Sequence, residues 1–167
     1  MLVFDSSTLI LIAKVELLDV FLSNFGMEVA IPKAIEEESC GGKKTLDSLI
    51  TRRAVDESRI KVKSVRNRKM VARLEEDFSM GRGESEAIAL ALQESALLVG
   101  MDDKNGMNAC KLTGIPFTTA VGILVRSCQK GFLSRSDALV KLAGLAKFGW
   151  YRDEILEDAK QRLEERP

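Results

Sequence analysis

Histidine is missing from all 167 residues of the chain, and that one gap removes a large share of enzyme chemistry. Without imidazole there is no Ser-His-Asp triad, no Cys-His dyad and no histidine-ligated zinc. Any catalysis has to run on carboxylates, lysine, hydroxyls, thiol or a bound metal. Cysteine is scarce as well. Cys40, Cys110 and Cys128 are odd in number, far apart and without a C-x-x-C pair. This argues against a disulfide framework or a thiolate zinc site and favours three reduced thiols packed as small hydrophobes. Long apolar runs are absent too. None approaches the roughly 20 residues that span a bilayer, and Leu9 to Ala13 follows an acidic residue rather than a basic leader region. A soluble, cytoplasmic chain with no membrane partner is expected. Repeats, low-complexity tracts and linkers are lacking, so one domain over residues 1–167 is expected, with C-terminal helices at about 134–165 packed on it or used for dimerisation. Nor is either charge in excess: 25 basic residues balance 25 acidic ones, so the molecule as a whole is not a polyelectrolyte binder.

What is present is the composition of an ordinary globular protein, 46% hydrophobic and 30% charged, in a chain long enough to bury a core. Its charge is unevenly placed. Arg59 to Arg73 holds seven basic residues and no acidic one, while Asp153 to Arg166 is mostly acidic and mixed. A local basic face can bind phosphates although the net charge vanishes. Arg66, Arg68 and Lys69 are the candidates there for substrate contact, with a solvated helix face as the plain alternative.

Strand-like runs alternate with helical ones. Met1 to Phe4 is apolar and ends on Asp5, after which Ser6 and Ser7 can cap a helix through Lys14. A helical stretch from Glu16 to Phe25 follows, then a strand from Met27 to Ile31, and Pro32 stands well as the first position of a helix over Lys33 to Ser39, stopped by Gly41-Gly42. Thr45 to Ser58 reads as helix, Arg59 to Val65 as an alternating strand, and Asn67 to Phe78 as helix. Beyond Gly81-Arg82-Gly83, a helix over Glu84 to about Glu94 precedes an apolar strand, Ala96 to Met101, that runs into Asp102-Asp103. Lys104 to Leu112 is helical, Phe117 to Ala120 a short strand, and two or three helices complete the chain. The alternation predicts a three-layer α/β/α fold with a mainly parallel sheet of about five strands.

In such sheets ligands bind beyond the carboxyl ends of the strands. Asp5 and Asp102-Asp103 fall there, although each could instead cap a helix or start a turn. Helix faces add two more acids. Glu38 shares a face with Ala34 and Ile35, and Glu84 a stripe with Ile88 and Ala91, whereas Glu36, Glu37 and Glu86 are offset. A carboxylate on a core-facing stripe is costly unless something neutralises it, and several at one crevice repel each other. A hard dication, Mg²⁺ or Mn²⁺, suits an all-oxygen donor set and bridges to substrate phosphates. Phosphodiester hydrolysis is the chemistry that follows.

The residues in order, Asp5-Ser6-Ser7, Ile31-Pro32-Lys33-Ala34-Ile35-Glu36-Glu37-Glu38, Gly83-Glu84-Ser85-Glu86-Ala87-Ile88-Ala89-Leu90-Ala91, and Leu98-Val99-Gly100-Met101-Asp102-Asp103-Lys104, resemble the PIN-domain nuclease family. Thr119-Ala120-Val121-Gly122-Ile123-Leu124 and Lys130-Gly131-Phe132-Leu133 resemble a prokaryotic subfamily related to VapC-type toxins, and the likeness covers nearly the whole chain. It implies a Mg²⁺- or Mn²⁺-dependent endoribonuclease, often a homodimer, as the toxin of a toxin–antitoxin pair with a protein antitoxin. The catalytic acids it implies are Asp5, Glu38, Glu84 and Asp102, with Asp5, Asp102, Asp103 and Glu84 as metal ligands and Ser6 and Lys104 near the substrate. Two positions depart from the family pattern: Gly100-Met101 stands where Ser or Thr often precedes the fourth acid, and Gly106-Met107-Asn108 where arginine is common. Lys104 and Lys111 are the local basic replacements.

Rival readings are weaker. Gly81-Arg82-Gly83 lacks the third glycine of a dinucleotide fingerprint and does not follow the first strand, and no G-x-x-x-x-G-K-[ST] occurs. The serious competitors are a PIN-like module that binds RNA or protein without cutting, and a housekeeping RNA-processing nuclease.

Overall fold

A computed structural model of the chain describes residues 1–41 and 44–165. Five parallel strands, β1 (Leu2–Phe4), β2 (Val29–Pro32), β3 (Ile60–Lys63), β4 (Leu98–Gly100) and β5 (Phe117–Thr118), form one sheet in the order β3-β2-β1-β4-β5. The helices among the described residues are α1 (Ser6–Lys14), α2 (Leu18–Asn24), α3 (Lys33–Cys40), α4 (Leu46–Asp56), α5 (Arg68–Phe78), α6 (Arg82–Gln93), α7 (Lys104–Thr113), α8 (Ala120–Gln129), α9 (Arg135–Phe148) and α10 (Asp153–Glu164). Strands covered on both faces read as continuous apolar runs, and Leu2, Val3 and Phe4 are wholly buried, as are Val29, Ala30 and Ile31. α6 lies across β1, β2 and β4 with α5 and α7 beside it, while α1 packs on α3, α4, α8 and α9. This is the three-layer α/β/α arrangement expected from the alternation. α9 packs on α1 and α8, and α10 on α8 and α9, so the C-terminal helices lie on the body of the fold. Among the described residues no helix is long and apolar enough to cross a membrane.

The chain steps from β1 through β2 to β3 in one direction, then returns with β4 on the other side of β1. A crevice opens at such a switch point beyond the carboxyl ends of the strands. Asp5 leaves β1 there and Asp102 leaves β4, with Phe4 and Gly100 in register as the last paired residues. The two edges are β3, whose Lys61 and Lys63 both pair with Glu28, and β5, only two residues long.

Several boundaries differ from the sequence expectations, each for a local reason. Asp5, not Ser6 or Ser7, caps α1, because its carboxylate accepts the Thr8 N–H at 2.7 Å. Pro32 closes β2 in an extended conformation instead of opening α3. The stop expected at Gly41-Gly42 falls partly outside the described residues, as does Arg166; α3 ends at Cys40, with Gly41 N–H returning to the Glu37 carbonyl at 2.9 Å. α6 starts at Arg82, which places Gly83 inside its first turn. β5 stops at Thr118 because the Thr119 hydroxyl caps α8 by accepting the Gly122 N–H at 3.1 Å. Ser58 and Ser95 take left-handed conformations after α4 and α6; behind them Arg59 and Ala96 N–H reach the Ala54 and Ala91 carbonyls at 2.9 and 2.8 Å, a helix end usually signalled by glycine.

Candidate functional site

Asp5 is fully buried at the carboxyl end of β1. One carboxylate oxygen accepts the Thr8 N–H, the other the Ser7 hydroxyl at 2.6 Å. Burial pushes this carboxyl from 3.8 up to about 7, against the pull of those hydrogen bonds and with a further push from the neighbouring Asp102. Asp102 is held in the same way by a helix start: Oδ2 accepts the Ala120 N–H of α8 at 2.8 Å. Its Oδ1 accepts the Tyr151 hydroxyl at 2.5 Å. Burial raises Asp102 as well, and the Tyr151 and Ala120 bonds temper the rise. The Tyr151 phenol is driven up in turn, first by burial and then by Asp102 and Asp5. Thr8 completes the group. Its buried hydroxyl acts on both carboxylates, lowering each, yet stands outside good hydrogen-bond geometry to either.

Asp103 and Asp102 play different parts. The Asp103 side chain caps α7 by accepting the Gly106 N–H at 2.9 Å, while Asp102 turns toward Asp5. Glu84 folds back over the start of α6, where a Cβ at Gly81 would stand 2.6 Å from its Oε2. Glu38 is exposed on α3, its carboxylate against Gly83. The four-acid crowding expected from sequence is therefore not what forms. Among the described residues no three acids or cysteines come together as a ready metal cluster; capping, back-folding and the tyrosine bond separate them around an Asp5–Asp102 pair. Glu86, expected to be offset and unremarkable, is 1% exposed and takes Arg68 at 2.6 Å and Arg82 at 2.9 Å.

Ser7, Glu84, Asp102, Asp103 and Lys104 share one cleft of about 910 Å³. Phe148 at the end of α9 and Trp150, Tyr151 and Arg152 in the connection to α10 form another part of its wall. Sequence reasoning missed that wall, although the single Trp and single Tyr of the chain stand side by side there. It also chose Ser6 over Ser7, whose hydroxyl makes the bond to Asp5. Asp5, fully buried behind Ser7, does not itself line the cleft, and neither do Ser6, Glu38, Arg66, Arg68, Lys69 and Lys111. The basic segment is largely neutralised in place: Arg59 pairs with Asp19, Lys61 with Glu28, Lys63 and Arg66 with Glu94, and Arg68 with Glu86.

The departure at Gly100 has a steric cause. A Cβ there would fall 2.3 Å from the Phe4 ring, so no Ser or Thr fits at that position.

The donor chemistry suits a hard divalent ion. The buried Asp5 and half-buried Asp102 carboxylates, with the Ser7 and Thr8 hydroxyls, make an all-oxygen set. Among the described residues neither Asp5 nor Asp102 has an ion-pair partner. Mg²⁺ keeps several waters and commonly uses only one or two carboxylates, so the pair suffices without a third acid in contact.

A family model described as a PIN domain matches residues 1–165 of the chain. Comparison with curated proteins and with solved structures returned no match.

Proposed function

The chain belongs to the PIN-domain family, whose members are generally nucleases, and from that premise we propose that it is a Mg²⁺- or Mn²⁺-dependent endoribonuclease centred on Asp5 and Asp102. The observation that carries this reading is a fully buried Asp5 and a half-buried Asp102 at the switch point between β1 and β4, both carboxyls raised by burial and Asp5 raised further by the Asp102 charge.

Asp5 and Asp102 would hold the ion, which supplies water activation and charge neutralisation at the scissile phosphodiester. The helix-start N–H groups of Thr8 and Ala120 fix the orientation of the two carboxylates, and Ser7 fixes the second Asp5 oxygen. Glu84, on the same cleft, accepts a proton from water or steers it, and Glu38 adds negative charge from the other side of Gly83. Asp103 supports the site by anchoring α7. Lys104 and Ser6 contact phosphate near the centre, while Lys69, without an ion-pair partner among the described residues, serves a more distant part of the strand.

Incubation with mixed RNA in Mn²⁺, in EDTA, and as Asp5→Asn or Asp102→Asn tests the assignment. Cleavage is expected only for the unaltered chain with metal; cleavage that survives EDTA or either substitution refutes it. A chain that binds RNA and never cuts it would be the non-catalytic module. The resemblance to VapC-type toxins supports a toxin role with a protein antitoxin. Growth arrest of a bacterial host by the unaltered chain but not by Asp5→Asn supports that role, and equal growth refutes it.

A further inference from the structure

Trp150 is wholly exposed, at 104% of its reference surface, in a chain that is only 5% aromatic. Fully burying a large apolar side chain is worth about 1.5–3 kcal/mol, and Phe148, two residues earlier, also stays 44% exposed. The indole is not displayed by a loose loop. Before it, Gly149 N–H reaches the Leu145 carbonyl at 2.8 Å, and a Cβ at Gly149 would meet the Tyr151 ring at 2.4 Å. After it, Tyr151 is tied to Asp102, and the Arg152 carbonyl accepts Ile155 N–H at 3.0 Å as α10 begins. Trp150 is thus held outward between two anchored neighbours, on the cleft that Glu84 and Lys104 also line.

The cleft carries both signs of charge: Glu84, Asp102, Asp103 and Glu154 line it together with Lys14, Lys104 and Arg152, and the cations are the part that can meet phosphate. Lys14 and Lys147 stand over the Phe148 ring at 5.3 and 5.7 Å, and Lys104 and Arg152 line the same cleft. Among the described residues none of these four cations is in an ion pair, unlike most of the basic segment at 59–68. Unpaired cations on the same cleft as an exposed indole on an anchored backbone match the two halves of a nucleotide, phosphate and base. Aromatic stacking takes any base, but only one freed from its duplex.

We propose that Trp150 is a stacking subsite for an unpaired nucleobase of the RNA strand bound in the cleft that Glu84 and Asp102 line, with Lys104 and Arg152 on its phosphates. The proposal rests on the ribonuclease reading and adds to it the element that positions the strand. Trp150 is the only tryptophan, so intrinsic fluorescence reports on it directly. The test titrates the full chain with a short single-stranded RNA, once in EDTA and once with calcium, recording tryptophan emission and the anisotropy of labelled RNA. Emission should be quenched in step with binding. Trp150→Ala should weaken binding roughly tenfold or more, Trp150→Phe far less, and an abasic RNA should bind both alike. Circular dichroism checks that the variants fold. RNA binding without quenching and with unchanged affinity in Trp150→Ala overturns the subsite while leaving the nuclease reading intact. No binding of any RNA by the unaltered chain overturns the nuclease reading and the subsite together. A change of sedimentation mass in Trp150→Ala, with RNA affinity unaltered, assigns the indole to a protein interface and overturns the proposal.

Discussion

Replacing Asp5 by Asn should make the metal-free protein more stable at neutral pH and above, not less. The folded carboxyl titrates at about 7 instead of 3.8, chiefly because burial strips it of water. A group whose folded pKa is raised contributes its full stability below the unfolded pKa and loses it as pH climbs through the folded value. At about 1.4 kcal/mol for each tenfold, the charged form therefore costs about 4 kcal/mol once the pH exceeds 7. Asn removes the charge and keeps the geometry: its carbonyl still accepts the Thr8 N–H, and its amide can donate to the Ser7 hydroxyl. At roughly 2–4 °C per kcal/mol for a domain of this size, the variant should melt about 8–16 °C above the unaltered chain in EDTA at about pH 8. The gap should vanish near pH 4, where both forms are neutral. Adding Mn²⁺ at the higher pH should raise the unaltered chain and not the variant. A variant that melts lower at both pH values, or a gap that persists on acidification, refutes the reasoning.

Tyr151→Phe removes the hydroxyl held on Asp102; hydrogen bonds to charged groups contribute about 1.5–3 kcal/mol, so urea melts at about pH 8 should show a loss of that order, and an unchanged midpoint would count against the bond. Substituting both Arg68 and Arg82 by Met strands the buried Glu86 carboxylate and should destabilise by about 3–5 kcal/mol, whereas either change alone, leaving the other guanidinium, should do much less; additive effects in guanidinium melts would contradict this. Gly100→Ala drives a methyl into the Phe4 ring and should lower stability by about 1–3 kcal/mol, measured as a thermal shift; a neutral outcome would mean the sheet yields there. Lys104→Ala should flatten the salt dependence of RNA binding by about one ion, read from affinity against salt, and an unaltered slope would remove Lys104 from the phosphate contacts.

The alternation of apolar strands and amphipathic helices carried the fold, because periodicity and burial on both sheet faces are local signals. The ends of elements were less legible. Ser58 and Ser95 close helices without glycine, and Asp5 and Pro32 each do two jobs at a junction, so turn residues alone misplace the boundary. The site was half legible. Asp5 and Asp102 follow from strand ends, but nothing local says that Asp103 is spent on Gly106, that Glu84 folds onto Gly81, or that Glu38 stays outside the cleft. Glu86 was passed over because helical spacing cannot register that two exposed arginines, one of them from α5, close over a buried carboxylate. The stretch from Gly149 to Arg152 lies in a connection with no period at all, some fifty residues beyond Asp102, and only the fold brings it to that side chain.

The margins of the sheet bear on how copies of this chain can meet. An unpaired strand invites a second one to dock beside it. Here β3 ends the sheet with two lysines already engaged by Glu28, and β5 offers only two residues of backbone. Neither border is a good template for adding a strand, so if two copies met they would do so through helix surfaces, where side chains rather than backbone choose the partner.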